Sequence, residues 1–97
     1  MNFKDKVVIV TGGTRGIGLE VAKSFYEKEA NVIIFGSKKE SVDKTVEELS
    51  KDNILVEGYY PNLNNYQEVV ETIDKIYNKY KRIDVLINNA GISANKK

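Results

Sequence analysis

The sequence predicts an α/β fold: a doubly wound parallel sheet, truncated to four strands in order 3-2-1-4, with three helices crossing between them. Two observations carry this. Short apolar runs, mostly β-branched, recur at Val7–Val10, Val32–Phe35, Ile54–Val56 and Val85–Ile87. Between them lie three longer stretches whose apolar residues return at helical spacing. Strict alternation of strand and helix calls for parallel pairing and right-handed crossovers.

Each element has its own signal. Val7-Val8-Ile9-Val10 is continuous rather than alternating, which suits a strand buried on both faces. Thr11-Gly12-Gly13 ends it. A first helix runs from Ile17 to about Lys28, with Ile17, Val21, Ala22 and Phe25 on one face. Asn31 opens the second strand and Gly36 closes it. Ser37 and Glu40 stand at capping-box spacing for a second helix. That helix turns Val42, Val46 and Leu49 inward and can pair Glu40/Lys44, Lys44/Glu48 and Glu47/Lys51 outside. The third strand spans Ile54 to Tyr60 and stops at Pro61. Asn64 and Gln67 are spaced to cap a third helix lined by Val69, Ile73, Ile76 and Tyr80. Asp84 leads into the fourth strand, and Asn88-Asn89-Ala90-Gly91 follows it. Residues 1–97 thus read as one incomplete domain, a little more than half of such a sheet.

Composition narrows the function. Of the 97 residues, 41% are hydrophobic and 30% charged, as in an ordinary soluble domain. The net charge of +1 gives no field to attract nucleic acid or an anionic membrane. The sequence has no cysteine and no histidine, so thiolate and imidazole chemistry is excluded within it and no metal site is assigned. No apolar run is long enough to cross a bilayer, and the first residues do not read as a signal peptide. A cytoplasmic location is the expectation.

The turn Thr11-Gly12-Gly13-Thr14-Arg15-Gly16-Ile17-Gly18 joins the first strand to the first helix. A helix N-terminus offers unpaired N–H groups and a partial positive charge, which favour a phosphate. Glycines let the backbone turn tightly and approach a pyrophosphate closely. The spacing is G-x-x-x-G-x-G, so the turn alone is also compatible with a simple strand-to-helix connection. No Gly-Lys-Ser/Thr follows, which excludes a P-loop. A receiver-like or flavodoxin-like domain fits less well, because the strand ends carry no acidic cluster.

This turn, together with Asn88-Asn89-Ala90-Gly91, resembles the short-chain dehydrogenase/reductase family. The family's T-G-x-x-x-G-I-G signature matches Thr11 to Gly18, and its N-N-A-G signature matches Asn88 to Gly91. Members such as 3-oxoacyl-carrier-protein reductases and hydroxysteroid dehydrogenases are similar in kind. The resemblance implies a Rossmann-type fold and hydride transfer between a nicotinamide cofactor and a carbonyl or alcohol. It places Gly12, Thr14, Arg15, Gly16, Ile17 and Gly18 around the cofactor's phosphates. It sets Asn62 and Leu63 against the adenine, and Asn89, Ala90 and Gly91 along the cofactor, with Asn88 supporting the sheet. Asn62 reads equally well as a turn residue after Pro61.

The cofactor expected is NADP(H) rather than NAD(H). An NAD-binding domain usually presents a carboxylate about twenty residues past the glycines. Here that place holds Gly36, followed by Ser37, Lys38 and Lys39. Arg15, Ser37 and Lys38 are therefore the candidates for a ribose 2′-phosphate.

No catalytic residue is assigned within the chain. The family's Ser and Tyr-x-x-x-Lys lie downstream of N-N-A-G, which ends at Gly91. Tyr77 and Lys81 have Tyr-x-x-x-Lys spacing, but they precede the fourth strand, at the sheet edge away from the glycine turn. Ser93 follows Gly91 too soon. Two functions remain at this level: the cofactor-binding half of an oxidoreductase, or a non-catalytic nucleotide-binding module. An exposed fourth-strand edge points to self-association or a homo-oligomer.

Overall fold

In the computed structural model, residues 3–50 and 56–89 are described. They form β1 (Val7–Thr11), α1 (Gly16–Glu27), β2 (Asn31–Phe35), α2 (Lys39–Leu49), β3 (Val56–Tyr59), α3 (Tyr66–Tyr80) and β4 (Val85–Asn88). The sheet order is β3-β2-β1-β4, and every pair is parallel, as the alternation predicts. Lys51, Ile54, Ala90, Gly91 and Ser93, which figure in the sequence reading, lie outside the described residues.

Register aligns the strand ends. Thr11 pairs with both Phe35 and Asn88, and Phe35 pairs with Tyr59. The four strands therefore finish in one row, and the segments after them open along one edge. In an open α/β sheet this carboxyl edge is where ligands bind.

The strand residues alternate between two cores. Val8, Val10, Val32 and Ile34 meet α1 and α2 on one face, with Ala22 and Leu49 buried against them. Val7, Ile9, Ile33 and Phe35 meet Ile76 of α3 on the other. All five residues of β1 are buried, which accounts for its continuous apolar run.

Two polar clasps fix the frame. At the amino edge, Val7 N–H donates to Asp84 Oδ2 at 2.8 Å, while Asp84 N–H donates to the Val7 carbonyl at 2.9 Å. Arg82 Nε and Nη2 donate to the same carboxylate at 2.8 and 2.9 Å. The guanidinium and the Val7 amide hold the Asp84 carboxyl down to about 2. On the α3 side, Glu57 of β3 accepts from Tyr80 Oη at 2.9 Å, Tyr59 Oη at 3.1 Å and Lys79 Nζ. Partial burial pushes the Glu57 carboxyl up, but these donors outweigh it and leave it below its ordinary value.

Helix starts depart from the sequence reading by one residue. Lys38, not Ser37, is the N-cap of α2, with no side-chain capping bond. The helix phase follows the burial of Val42, Thr45 and Leu49, and that sets the first turn one residue later. Asn65, not Asn64, caps α3: its side chain accepts from Glu68 N–H at 3.1 Å. Asn64 instead donates its N–H to Asn62 Oδ1 at 2.9 Å in a local turn. The ion pair formed along α2 is Lys39–Asp43 at 2.8 Å, in place of the expected Glu40/Lys44 and Lys44/Glu48 pairs. Ile17, expected on the buried face of α1, is 73% exposed, because the first turn projects past the strand ends. Among the described residues, no helix is long and apolar enough to cross a membrane, and no group of acidic side chains has the makings of a metal site.

Candidate functional site

A cleft of about 690 Å³ opens at the carboxyl edge. The segments after all four strands contribute to it. The β1–α1 turn supplies Gly12, Thr14, Arg15, Gly16 and Ile17, and the end of β2 supplies Gly36 and Ser37. Leu63 and Asn64 close one side, and Asn89 after β4 closes the other.

The turn takes its shape from two backbone demands. Gly12 and Gly16 adopt φ of 66° and 62°, a left-handed region that other residues enter at a cost. Gly12 N–H donates to the Phe35 carbonyl at 2.9 Å, tying the turn to the end of β2. Gly18 answers the second demand. A Cβ built there would lie 2.0 Å from the Gly12 carbonyl oxygen and 2.8 Å from Asn89 Nδ2. Only a residue without a side chain lets α1 begin so close to the turn.

The electrostatics of this end are those of an anion site. Arg15 is the N-cap of α1 in an extended conformation, with no side-chain capping bond. No acidic residue stands in the first turn. By contrast, α3 has its Asn65 cap and Glu68, and α2 has Glu40. Among the described residues, neither a cap side chain nor a first-turn acid compensates the first N–H groups and dipole of α1. A Cβ on Gly16 would meet nothing within 4 Å, so the space beside the helix start is open. Among the described residues, the cleft lining includes Arg15 and no acidic residue.

Most of the residues singled out from sequence meet here. Gly12, Thr14, Arg15, Gly16, Ile17, Ser37, Leu63 and Asn89 border the cleft. Gly18 lies behind it, packed under the Gly12 carbonyl. Lys38, the N-cap of α2, follows Ser37 and is not among the residues lining the cleft. Asn62 is held in the β3–α3 connection, its N–H donating to Glu68 Oε1 at 2.7 Å. Asn88 accepts from Thr11 Oγ1 at 3.2 Å within the sheet. Ala90 and Gly91 are outside the described residues. Two lining residues escaped the sequence assignment, Gly36 and Asn64. Gly36 is noted there only for the carboxylate it lacks, and Asn64 only as a helix cap.

Tyr77 and Lys81 stand apart from the cleft. Lys81 is the left-handed C-cap of α3, its N–H bonded to the Tyr77 carbonyl at 2.6 Å. They precede Val85, which pairs with Val8 at the amino edge of the sheet. A shallower depression of about 560 Å³ follows α1 past Leu19, Val21 and Ser24. Its lining among the described residues comes from α1 alone.

A family model described as short chain dehydrogenase matches residues 6–97. The chain belongs to the short-chain dehydrogenase family. Among its relatives, a 3alpha-hydroxysteroid dehydrogenase from Mediterraneibacter gnavus is 43% identical over 95 residues, covering 96% of this chain and 38% of the relative. An NADP-dependent mannitol dehydrogenase from Hypocrea jecorina is 38% identical over 98 residues, covering 97% of this chain and 37% of the relative. The crystal structure of a short chain dehydrogenase from Bacillus anthracis superposes with a TM-score of 0.83 at 34% identity, covering 90% of this chain and 35% of that one. The chain therefore spans little more than a third of the length of these family members.

Proposed function

We propose that this chain forms the NADP(H)-binding part of an oxidoreductase. The observation that carries the reading is the start of α1. It has no side-chain cap and no acidic residue in its first turn, and it opens beside Arg15 into a cleft whose lining, among the described residues, holds no acidic side chain. A dinucleotide phosphate fits such a site, because it supplies the negative charge that the helix end lacks.

The chain's residues divide the work. Gly12 and Gly16 keep side chains out of the pyrophosphate's path, while the first N–H groups of α1, at Ile17 and Gly18, serve as donors. Arg15 and Ser37, with Lys38 beside them, bind the ribose 2′-phosphate by charge-assisted hydrogen bonds. Lys39 is less available, being paired with Asp43 at 2.8 Å. Leu63 and Asn62 bound the adenine side and Asn89 continues the wall, while the N-N-A-G signature would add Ala90 and Gly91 as cofactor contacts. When bound, the cofactor supplies or accepts a hydride at a carbonyl or alcohol. The name of the Hypocrea jecorina relative accords with NADP.

Ligand-induced stabilisation tests the reading. NADPH at about a hundred times its Kd adds about 2.7 kcal/mol to the folded state and raises the melting temperature accordingly. An unchanged melting curve at millimolar NADPH overturns it.

A further inference from the structure

Val42 is fully buried on α2, between glycines of two neighbouring strand segments. A Cβ built on Gly58 of β3 would come 2.3 Å from Val42 Cγ1. A Cβ on Gly36, just past β2, would come 2.7 Å from Val42 Cγ2 and 2.9 Å from Thr14 Cγ2. Val42 thus stands against both positions, and Val46 Cγ2, 2.8 Å from the same Gly58 Cβ, adds a second contact there. Thr14 borders the open cleft and can swing its methyl away. Val42 is more constrained: turning Cγ2 away from Gly36 takes the side chain out of the one χ1 rotamer that a β-branched residue strongly prefers in a helix.

Gly36 occupies the place from which a dinucleotide-binding sheet of this type offers a carboxylate to the ribose hydroxyls. We propose that Val42 is a positioning residue for cofactor selection: by packing α2 against Gly36 and Gly58, it closes position 36 to any side chain. The ribose 2′ corner is then left to Arg15 and Ser37, both of which border the cleft. This rests on the cleft being the nucleotide site. It goes further in making the preference for a phosphorylated ribose a property of helix packing. A charge introduced at position 36 without relief at Val42 has nowhere to go, so it does not invert the preference.

The test is a double-mutant cycle in the intact protein, read by melting temperature and by calorimetric Kd values for NADPH and NADH. Gly36→Asp alone lowers the melting temperature and leaves the NADH:NADPH affinity ratio near that of the wild type. Val42→Ala alone leaves the ratio unchanged. Gly36→Asp with Val42→Ala moves the ratio about tenfold or more toward NADH, the scale of a hydrogen bond to a charged group. A purely structural role for Val42 moves stability and not this ratio. Should Gly36→Asp fail to fold, Gly36→Ala with and without Val42→Ala reads the same contact. Loss of stability that Val42→Ala relieves supports the proposal, and additive losses overturn it. A ratio shifted as far by Gly36→Asp alone as by the pair overturns the proposal and leaves the cofactor reading standing. Wild-type protein that binds neither nucleotide overturns both.

Discussion

Asn89 Nδ2 donates a hydrogen bond to the Gly12 carbonyl oxygen at 3.3 Å, joining the segment after β4 to the turn after β1. The same amide nitrogen lies 2.8 Å from where a Gly18 Cβ would be. One side chain therefore braces the glycine turn from the far strand, and it fills the space that Gly18 vacates. Asn89→Ala is expected to cost about 1 kcal/mol of stability, the worth of one hydrogen bond, measurable by urea denaturation. It is also expected to weaken nucleotide binding, since the turn loses its brace.

Gly16 and Gly18 should respond differently to alanine. At Gly18 the methyl meets the Gly12 carbonyl at 2.0 Å, so α1 must shift. Gly18→Ala is expected to destabilise by about 1–3 kcal/mol, outweighing the gain of up to about 1 kcal/mol from alanine's helix propensity. At Gly16 the methyl meets no protein atom, and the cost is the left-handed φ of 62° alone. Gly16→Ala is expected to lose about 1–2 kcal/mol while strongly weakening nucleotide binding, because the methyl enters the cleft. Thermal melts paired with NADPH titrations separate the two.

The Asp84 clasp predicts acid sensitivity. Its carboxyl is held at about 2 in the folded chain, below its ordinary value of 3.8. A carboxylate with a depressed folded-state pKa stabilises the fold above the ordinary value. That contribution is lost as pH falls from about 4 toward 2. Glu57, also lowered, acts in the same direction. Asp84→Asn is expected to flatten the fall in melting temperature across that window. An unaltered acid limb would contradict the role of the clasp.

The Glu57 cluster offers a second stability test. Its carboxylate gathers Tyr59, Tyr80 and Lys79, so it links β3 to the end of α3. Glu57→Gln is expected to cost about 1–2 kcal/mol in chemical denaturation, because an amide accepts less strongly from these donors.

We also propose self-association through β4. Leu86 is 54% exposed, and among the described residues β4 is paired on one side only, by β1. An unpaired apolar edge is a template for another strand. The chain of residues 1–97 is expected to sediment above monomer mass, and Leu86→Lys to reduce that. A monomer at all concentrations would contradict it.

The sheet order was legible because each predicted strand holds a short apolar run and is separated from the next by one helix, which leaves parallel crossovers as the economical arrangement. The cleft was legible because its residues directly follow strand ends, and the row of Thr11, Phe35, Tyr59 and Asn88 brings those ends together. Helix caps were legible only to within a residue. Asn64 and Asn65 offer the same amide, and the choice falls to the phase in which Ile76 is buried. The clasps were not legible. Asp84 meets Val7 across 77 residues, a distance that no local pattern spans. Glu57 carried a faint signal, as an acidic residue at an inward strand position opposite Ile33. The tight packing of Val42 against Gly36 and Gly58 needs helix and strands placed together before it can be seen.

The central claim is that the cleft beside Arg15 holds NADP(H). Calorimetric titration of the protein with NADPH and NADH, at one salt concentration, tests it most directly. NADPH is expected to bind more tightly, with Arg15→Ala removing about tenfold or more of that advantage and leaving NADH affinity nearly unchanged. Equal affinity for the two nucleotides, or an advantage indifferent to Arg15→Ala, would contradict it.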